Sequence, residues 1–188
     1  MDAKKPGRAI VIVSGADLKT SHGLAASMYA NLFGVPDDAD AIGNSIDLIP
    51  RVSLAGGPAA AKAVHELIRR GVVFSAHDCS EGGVAVALAE MLIAGSTKER
   101  PIGADVSLHG DVPDAVDLFG EAPSRYLLEI DERSFKTVRS VAKAHGVSCW
   151  SPGVLTDDGR LTITAESDTT TVWPVEDLAR AWLGTLDW

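Results

Sequence analysis

The densest group of chemistry-bearing residues lies between Ala76 and Gly95, in the run Ala-His-Asp-Cys-Ser-Glu-Gly-Gly-Val-Ala-Val-Ala-Leu-Ala-Glu-Met-Leu-Ile-Ala-Gly. Asp78, Ser80, Glu81, Gly82 and Gly83 stand between an apolar run at 72–76 and a small-residue helical segment at 84–94. Strand, glycine-bearing turn and helix start, in that order, present backbone N–H groups and the positive end of a helix dipole, a setting that suits phosphate. The paired glycines permit close backbone approach and positive φ. The pattern is neither G-x-G-x-x-G nor a P-loop, because no Gly-Lys-Ser/Thr occurs in the chain. The same residues also fit a structural role. Asp78 and Glu81 are spaced as in a capping box and would then satisfy the helix's own N–H groups. Most helix starts in α/β proteins bind nothing, so the residues alone favour capping and leave anion binding open.

Glu121 and Arg125 form a second candidate group, four residues apart and separated by Pro123. An arginine entering a buried strand needs an anionic partner, which Glu121 could supply. The alternative is that Arg125 faces a phosphate as a bidentate donor. His77, just before the turn, is a candidate for lining a ligand pocket. It stands two residues from Cys79, but no second pair completes four metal ligands, so no metal site is assigned. Cys79 at a helix start would have a lowered pKa. No third residue orients a His77–Cys79 pair, and no catalytic residue is assigned. His65 and His145 read as structural, His109 as a loop residue, and Asp17, Asp37, Asp38 and Asp40 as loop carboxylates without calcium-loop spacing.

The elements that must hold these groups follow from periodicity and punctuation. Strands are expected at 9–14, 72–76, 104–108, 126–130 and 147–150. Helices are expected at 24–33, at 59–70 with Val64, Leu67 and Ile68 on one face, at 84–94, and at 132–145 with Gly146 as its stop. Residues 35–57 read as loop, and 114–118 as a short helical turn. Asp157-Asp158-Gly159-Arg160 predicts a hairpin joining Val154-Leu155 to Leu161-Thr162-Ile163. Pro174 opens a last helix whose Leu178, Ala181 and Trp182 are expected to face the core. Crossovers and hairpins together predict an α/β sandwich, a mixed β-sheet covered by helices.

At 188 residues the chain is read as a single domain, 1–188, large enough to bury about 70% of its unfolded surface without a staple. A formal net charge of −9 and scattered basic residues exclude general nucleic-acid binding. No apolar run approaches the ~20 residues of a membrane span. Two cysteines far apart, with no secretory leader, point to a reducing, cytoplasmic setting.

Three segments carry a family resemblance. The run from Ala76 to Met91 closely resembles the motif of the C-terminal domain shared by aminoimidazole ribonucleotide synthetase and its relatives. Within that superfamily it is most similar to the large synthetase subunits of phosphoribosylformylglycinamidine synthase. Leu118-Phe119-Gly120-Glu121-Ala122-Pro123-Ser124-Arg125-Tyr126 resembles that family's Leu-Phe-x-Glu-x-x-x-Arg segment, and Val175-Glu176-Asp177-Leu178-x-x-Ala181-Trp182 its closing helix. The match covers about residues 50–188. Toward the start, Gly7-Arg8-Ala9-Ile10-Val11-Ile12-Val13 resembles the opening strand. His22 to Tyr29 corresponds to the family's Leu-Gly-Gly-Ser-x-Tyr, with Ala25 and Ala26 replacing both glycines while Ser27 and Tyr29 match.

The resemblance implies a carbon–nitrogen ligase of purine biosynthesis that uses glutamine as amide donor. Such an enzyme converts formylglycinamide ribonucleotide, ATP and glutamine-derived ammonia into the amidine, with ATP phosphorylating the amide oxygen before ammonia attacks. It implies ATP and Mg2+ bound mainly by an upstream domain, to which nothing in this chain is similar. The chain is thus expected to be the last domain of a larger enzyme, a portion of it or a split-gene product, and inactive alone. Expected partners are the upstream domains, a glutaminase, a small bridging subunit and a small phosphorylated ligand. Asp78, Ser80, Glu81, Gly82, Gly83 and Arg125 would form a phosphate-accepting wall, at an active site or a pseudo-site, with Ser27, His77 and Glu121 lining the pocket. The alternatives are a non-catalytic nucleotide- or phosphate-binding or scaffold domain, or the C-terminal domain of another superfamily member.

Overall fold

The computed structural model describes residues 1–16, 23–25, 27–34, 51–108, 112, 114–166 and 168–184. Strand β1, Ala9–Ser14, sets the architecture because all six of its residues are buried. Ala9, Val11 and Val13 point to one face of the sheet and Ile10 and Ile12 to the other, the period-2 alternation of a strand covered on both sides.

On one face, α2 (Gly56–Arg69) and α5 (Phe135–His145) bury Ala63, Val64, Leu67, Val138 and Val141. They are tied together where His145 Nε2 approaches Glu66 Oε2 at 2.7 Å. On the other face, α3 (Gly83–Gly95) and α6 (Val175–Gly184) flank a core built from Leu88, Met91, Leu92, Leu127 and Leu155. Two short helices, α1 (Met28–Phe33) and α4 (Asp114–Phe119), are the other α-helices among the described residues. The remaining strands are β2 (Val73–Asp78), β3 (Gly103–Ser107), β4 (Arg125–Ile130), β5 (Ser148–Thr156), β6 (Arg160–Thr164) and β7 (Thr170–Pro174). Their order is β2-β4-β1-β5-β3-β6-β7, with β3–β6 parallel and the other pairs among the described residues antiparallel. The expected helix-covered mixed sheet is what the chain forms.

Several elements differ from expectation. The predicted hairpin does not pair, because β3 lies between β5 and β6. The turn does reverse the chain: Gly159 has φ +64°, and Asp158 Oδ1 accepts from Thr156 Oγ1 at 2.7 Å and Arg160 N–H at 3.1 Å. Turn chemistry encodes a local reversal; the neighbour of each strand is chosen by distant apolar residues, here Ala104 and Val106 of β3, both buried. β7 has no counterpart in the expected elements. The strands expected at 147–150 and 154–155 fuse into β5 across a register shift opposite Ile10 and Ile12, with Pro152 at the irregularity, where a missing N–H is tolerated. Beside it, a Cβ on Gly153 would sit 1.9 Å from the Asp105 carbonyl oxygen, so only glycine lets β3 and β5 close.

The last helix starts at Val175, one residue after Pro174. It buries Val175 and half-buries Leu178, whereas Ala181 and Trp182 are exposed, against expectation. Ile68 likewise faces outward. The helix expected at 24–33 begins only at Met28, with Ser27 as its N-cap. His109, Gly110, Asp17, Asp37, Asp38 and Asp40 lie outside the described residues.

The first residues are part of the fold. Ala3 is fully buried and its N–H donates to the Met91 carbonyl at 2.9 Å. Glu129, buried on β4, accepts from the Lys4 and Lys5 N–H groups at 2.8 and 3.1 Å and from Arg8 Nη1 at 3.0 Å. The Arg8 guanidinium lies 3.4 Å from the centre of the Phe74 ring, a cation–π contact.

Candidate functional site

β2 runs two residues further than its sequence predicts, so His77 and Asp78 pair with Leu127 and Tyr126 before the chain turns. Gly82 is the N-cap of α3 in the left-handed region, at φ +76°, with no side-chain cap bond. Gly83, at φ +64°, donates its N–H to the Ser80 carbonyl at 3.0 Å. A Cβ on Gly83 would lie 2.7 Å from the Leu118 carbonyl oxygen and 2.9 Å from that of Gly120. This glycine serves the close approach of α4's C-terminal end.

No capping box forms. The Asp78 carboxylate accepts from Ser80 Oγ, which holds its pKa below the ordinary aspartate value, and Glu81 is exposed. The carboxylate at the start of α3 is that of Glu121. Its Oε1 accepts from the Gly82 N–H at 2.8 Å and from the Met28 N–H at 3.0 Å. One internal anion therefore sits at the first turns of both α3 and α1, where helix dipoles favour negative charge. Because Asp78 caps nothing, Asp78→Ala is expected to change stability by less than about 0.5 kcal/mol. A melting experiment showing the loss of about 1 kcal/mol typical of a removed cap would contradict this geometry.

Arg125 does not pair with Glu121. Its side chain is fully buried, with Nη2 3.0 Å from Asp117 Oδ1. Nη1 and Nη2 also donate to the Asp117 carbonyl at 3.3 and 3.2 Å, and Nη1 to the Gly120 carbonyl at 3.4 Å. The guanidinium thus closes the end of α4, and it lines neither of the two hollows at the α3 turn. Burial pushes the Asp117 carboxyl up, and the Arg125 charge opposes that rise. Asp117 had no sequence signal, since its eight-residue separation from Arg125 matches no local pairing rule.

The remaining candidates meet at the surface. His77, Asp78, Ser80, Glu81 and Gly82 line a cleft of about 530 Å³ together with Glu90 of α3. Ser27, Glu81 and Glu121 line an adjoining hollow of about 470 Å³ over the start of α1. Ser27 is itself buried, donating to the Leu24 carbonyl at 2.6 Å and accepting from the Ala30 N–H at 3.2 Å. His77 Nε2 lies 2.8 Å from Glu90 Oε2 without hydrogen-bond alignment, and Nδ1 lies 2.6 Å from the Asp78 carbonyl oxygen. Glu90 was also missed, because it lies thirteen residues from His77 on a different element. No Lys or Arg lines either hollow among the described residues, and these contain no group of three or more His, Cys, Asp or Glu that could hold a metal.

Cys79 points into the α3-side core, and burial pushes its thiol up to about 12. Alkylation of the native protein at pH 8 is therefore expected to label the half-buried Cys149 well before Cys79. Peptide mapping that finds Cys79 labelled first would reverse this assignment.

A helix-covered mixed sheet with an acidic cleft over one helix start defines the class: an α/β sandwich domain. The family model "AIR synthase related protein, C-terminal domain" matches residues 5–166, and the chain belongs to that family. The resemblance carried by the motifs is thereby borne out. Among relatives, the phosphoribosylformylglycinamidine synthase subunit PurL of Anaeromyxobacter dehalogenans is 37% identical over 138 residues, covering 71% of this chain and 18% of that protein. That of Methylocella silvestris is 33% identical over 164 residues, 87% of this chain and 20% of that protein. The chain thus spans about a fifth of the length of these relatives. Thermotoga maritima PurL complexed with FGAR shares the fold at TM-score 0.74 and 21% identity, over 95% of this chain and 29% of that one. The hydrogenase maturation protein HypE does so at TM-score 0.59 and 15% identity, over 91% and 53%.

Proposed function

We propose that this chain serves as the C-terminal domain of a phosphoribosylformylglycinamidine synthase large subunit, in the ATP-dependent amidation of formylglycinamide ribonucleotide. The observation that carries this reading is the identity to PurL subunits across most of the chain, centred on a domain that makes up only a fifth of each. ATP and magnesium are assigned to the rest of the enzyme, because the cleft's described lining offers neither a cation for phosphates nor a metal-ligand cluster. The partners we assign are the upstream domains, with the glutaminase and a bridging subunit completing a cytoplasmic assembly. No helix among the described residues is long and apolar enough to cross a membrane.

Within that assembly, Asp78, Ser80, Glu81 and Gly82 form one wall of the ligand site, with Ser27, His77 and Glu121 beside them. Carboxylates accept hydrogen bonds, so this wall suits the hydroxyl and amide donors of a ribonucleotide better than its bare phosphate. Phosphate at the start of α3 requires Glu121 to give way. Gly83 and Arg125 support the wall from behind.

A second reading, a non-catalytic scaffold domain, draws on α1, which buries none of its residues and exposes Leu32 and Phe33. One assay separates the two. The purified chain with formylglycinamide ribonucleotide, ATP, magnesium and ammonium salt is expected to turn over below about 0.1 per second, far under ordinary enzyme rates. Supplying the upstream portion of the synthetase should restore amidation. Turnover by the chain alone would overturn the reading of it as one domain of a larger enzyme, and a reconstituted enzyme indifferent to Glu81→Gln and Ser80→Ala would overturn the proposed site.

A further inference from the structure

We draw no further inference here: the strongest candidate, the side-chain cluster beside the α3 turn in which the buried Nε2 of His77 faces Glu90 without a hydrogen bond, lines the same cleft as Asp78 and Glu81 and so belongs to the site already described.

Discussion

Arg125→Ala is expected to cost about 3–5 kcal/mol of folding stability in urea denaturation at neutral pH, the penalty for leaving a buried carboxylate without its partner. The guanidinium is fully buried, and besides the Asp117 carboxylate it holds the carbonyls of Asp117 and Gly120 at the end of α4. Its removal strands all three acceptors. The loss should be smaller at pH 5 than at pH 7. Burial already raises the Asp117 pKa, and without Arg125 the folded state raises it further. A group whose folded pKa exceeds its unfolded one adds stability as pH falls through that window, so protonation offsets part of the damage. Replacing both residues with apolar ones of similar size, Arg125→Met with Asp117→Leu, should recover most of the stability. A cost below about 1 kcal/mol for Arg125→Ala would mean that the ion pair does not hold α4 to the sheet. Phosphate that stabilised the wild type but not Arg125→Ala would restore this residue to a ligand site.

Glu121→Ala is expected to cost about 2 kcal/mol, since two N–H groups lose a charged acceptor and that of buried Gly82 has no ready substitute. Glu121→Gln keeps an acceptor oxygen and should cost less than half as much. The diagnostic result concerns anions. With its internal carboxylate gone, the start of α3 becomes an open anion site, so phosphate should stabilise Glu121→Ala more than wild type at equal ionic strength. A regain of about 1 kcal/mol corresponds to roughly 2–4 °C in melting temperature for a chain of this length. Comparison with wild type removes the general stabilising effect of phosphate salts. Equal stabilisation of both proteins would show that phosphate and Glu121 do not compete, and that the turn binds its anion elsewhere.

Much of the framework is legible in the residues. β1 is read from Ala9 to Ser14 without error, because an uninterrupted β-branched run has no helical alternative of that length. The α5 stop at Gly146 is equally plain, with φ +69° where a left-handed cap is needed. α2 starts three residues before its expected first residue and ends one residue before its expected last, a difference usual for helix ends. The family motifs mark the α3 turn and the Glu121–Arg125 segment as one region, and the structure does bring Glu121 onto that turn.

Pairing is where the reading fails. Asp78 with Glu81 has capping spacing, and Glu121 with Arg125 has ion-pair spacing, yet neither pair forms. Asp157-Gly159 has hairpin chemistry, yet β5 and β6 are separated by β3. In each case a local rule names the partner nearest in sequence, while a group further off along the chain makes the contact. Glu121 displaces the side-chain cap from thirty-nine residues away, and Asp117 reaches Arg125 because α4 folds back against the first residue of β4. The sequence by itself determined most element types, β7 excepted, the helix-covered mixed sheet and the family. Only the tertiary structure decided which carboxylate each positive group meets and that the exposed side of α1 and Trp182 shares a groove with Glu81. Element type follows from a few adjacent residues, whereas electrostatic partnership depends on distances that exist only once the sheet and its two helical layers have closed.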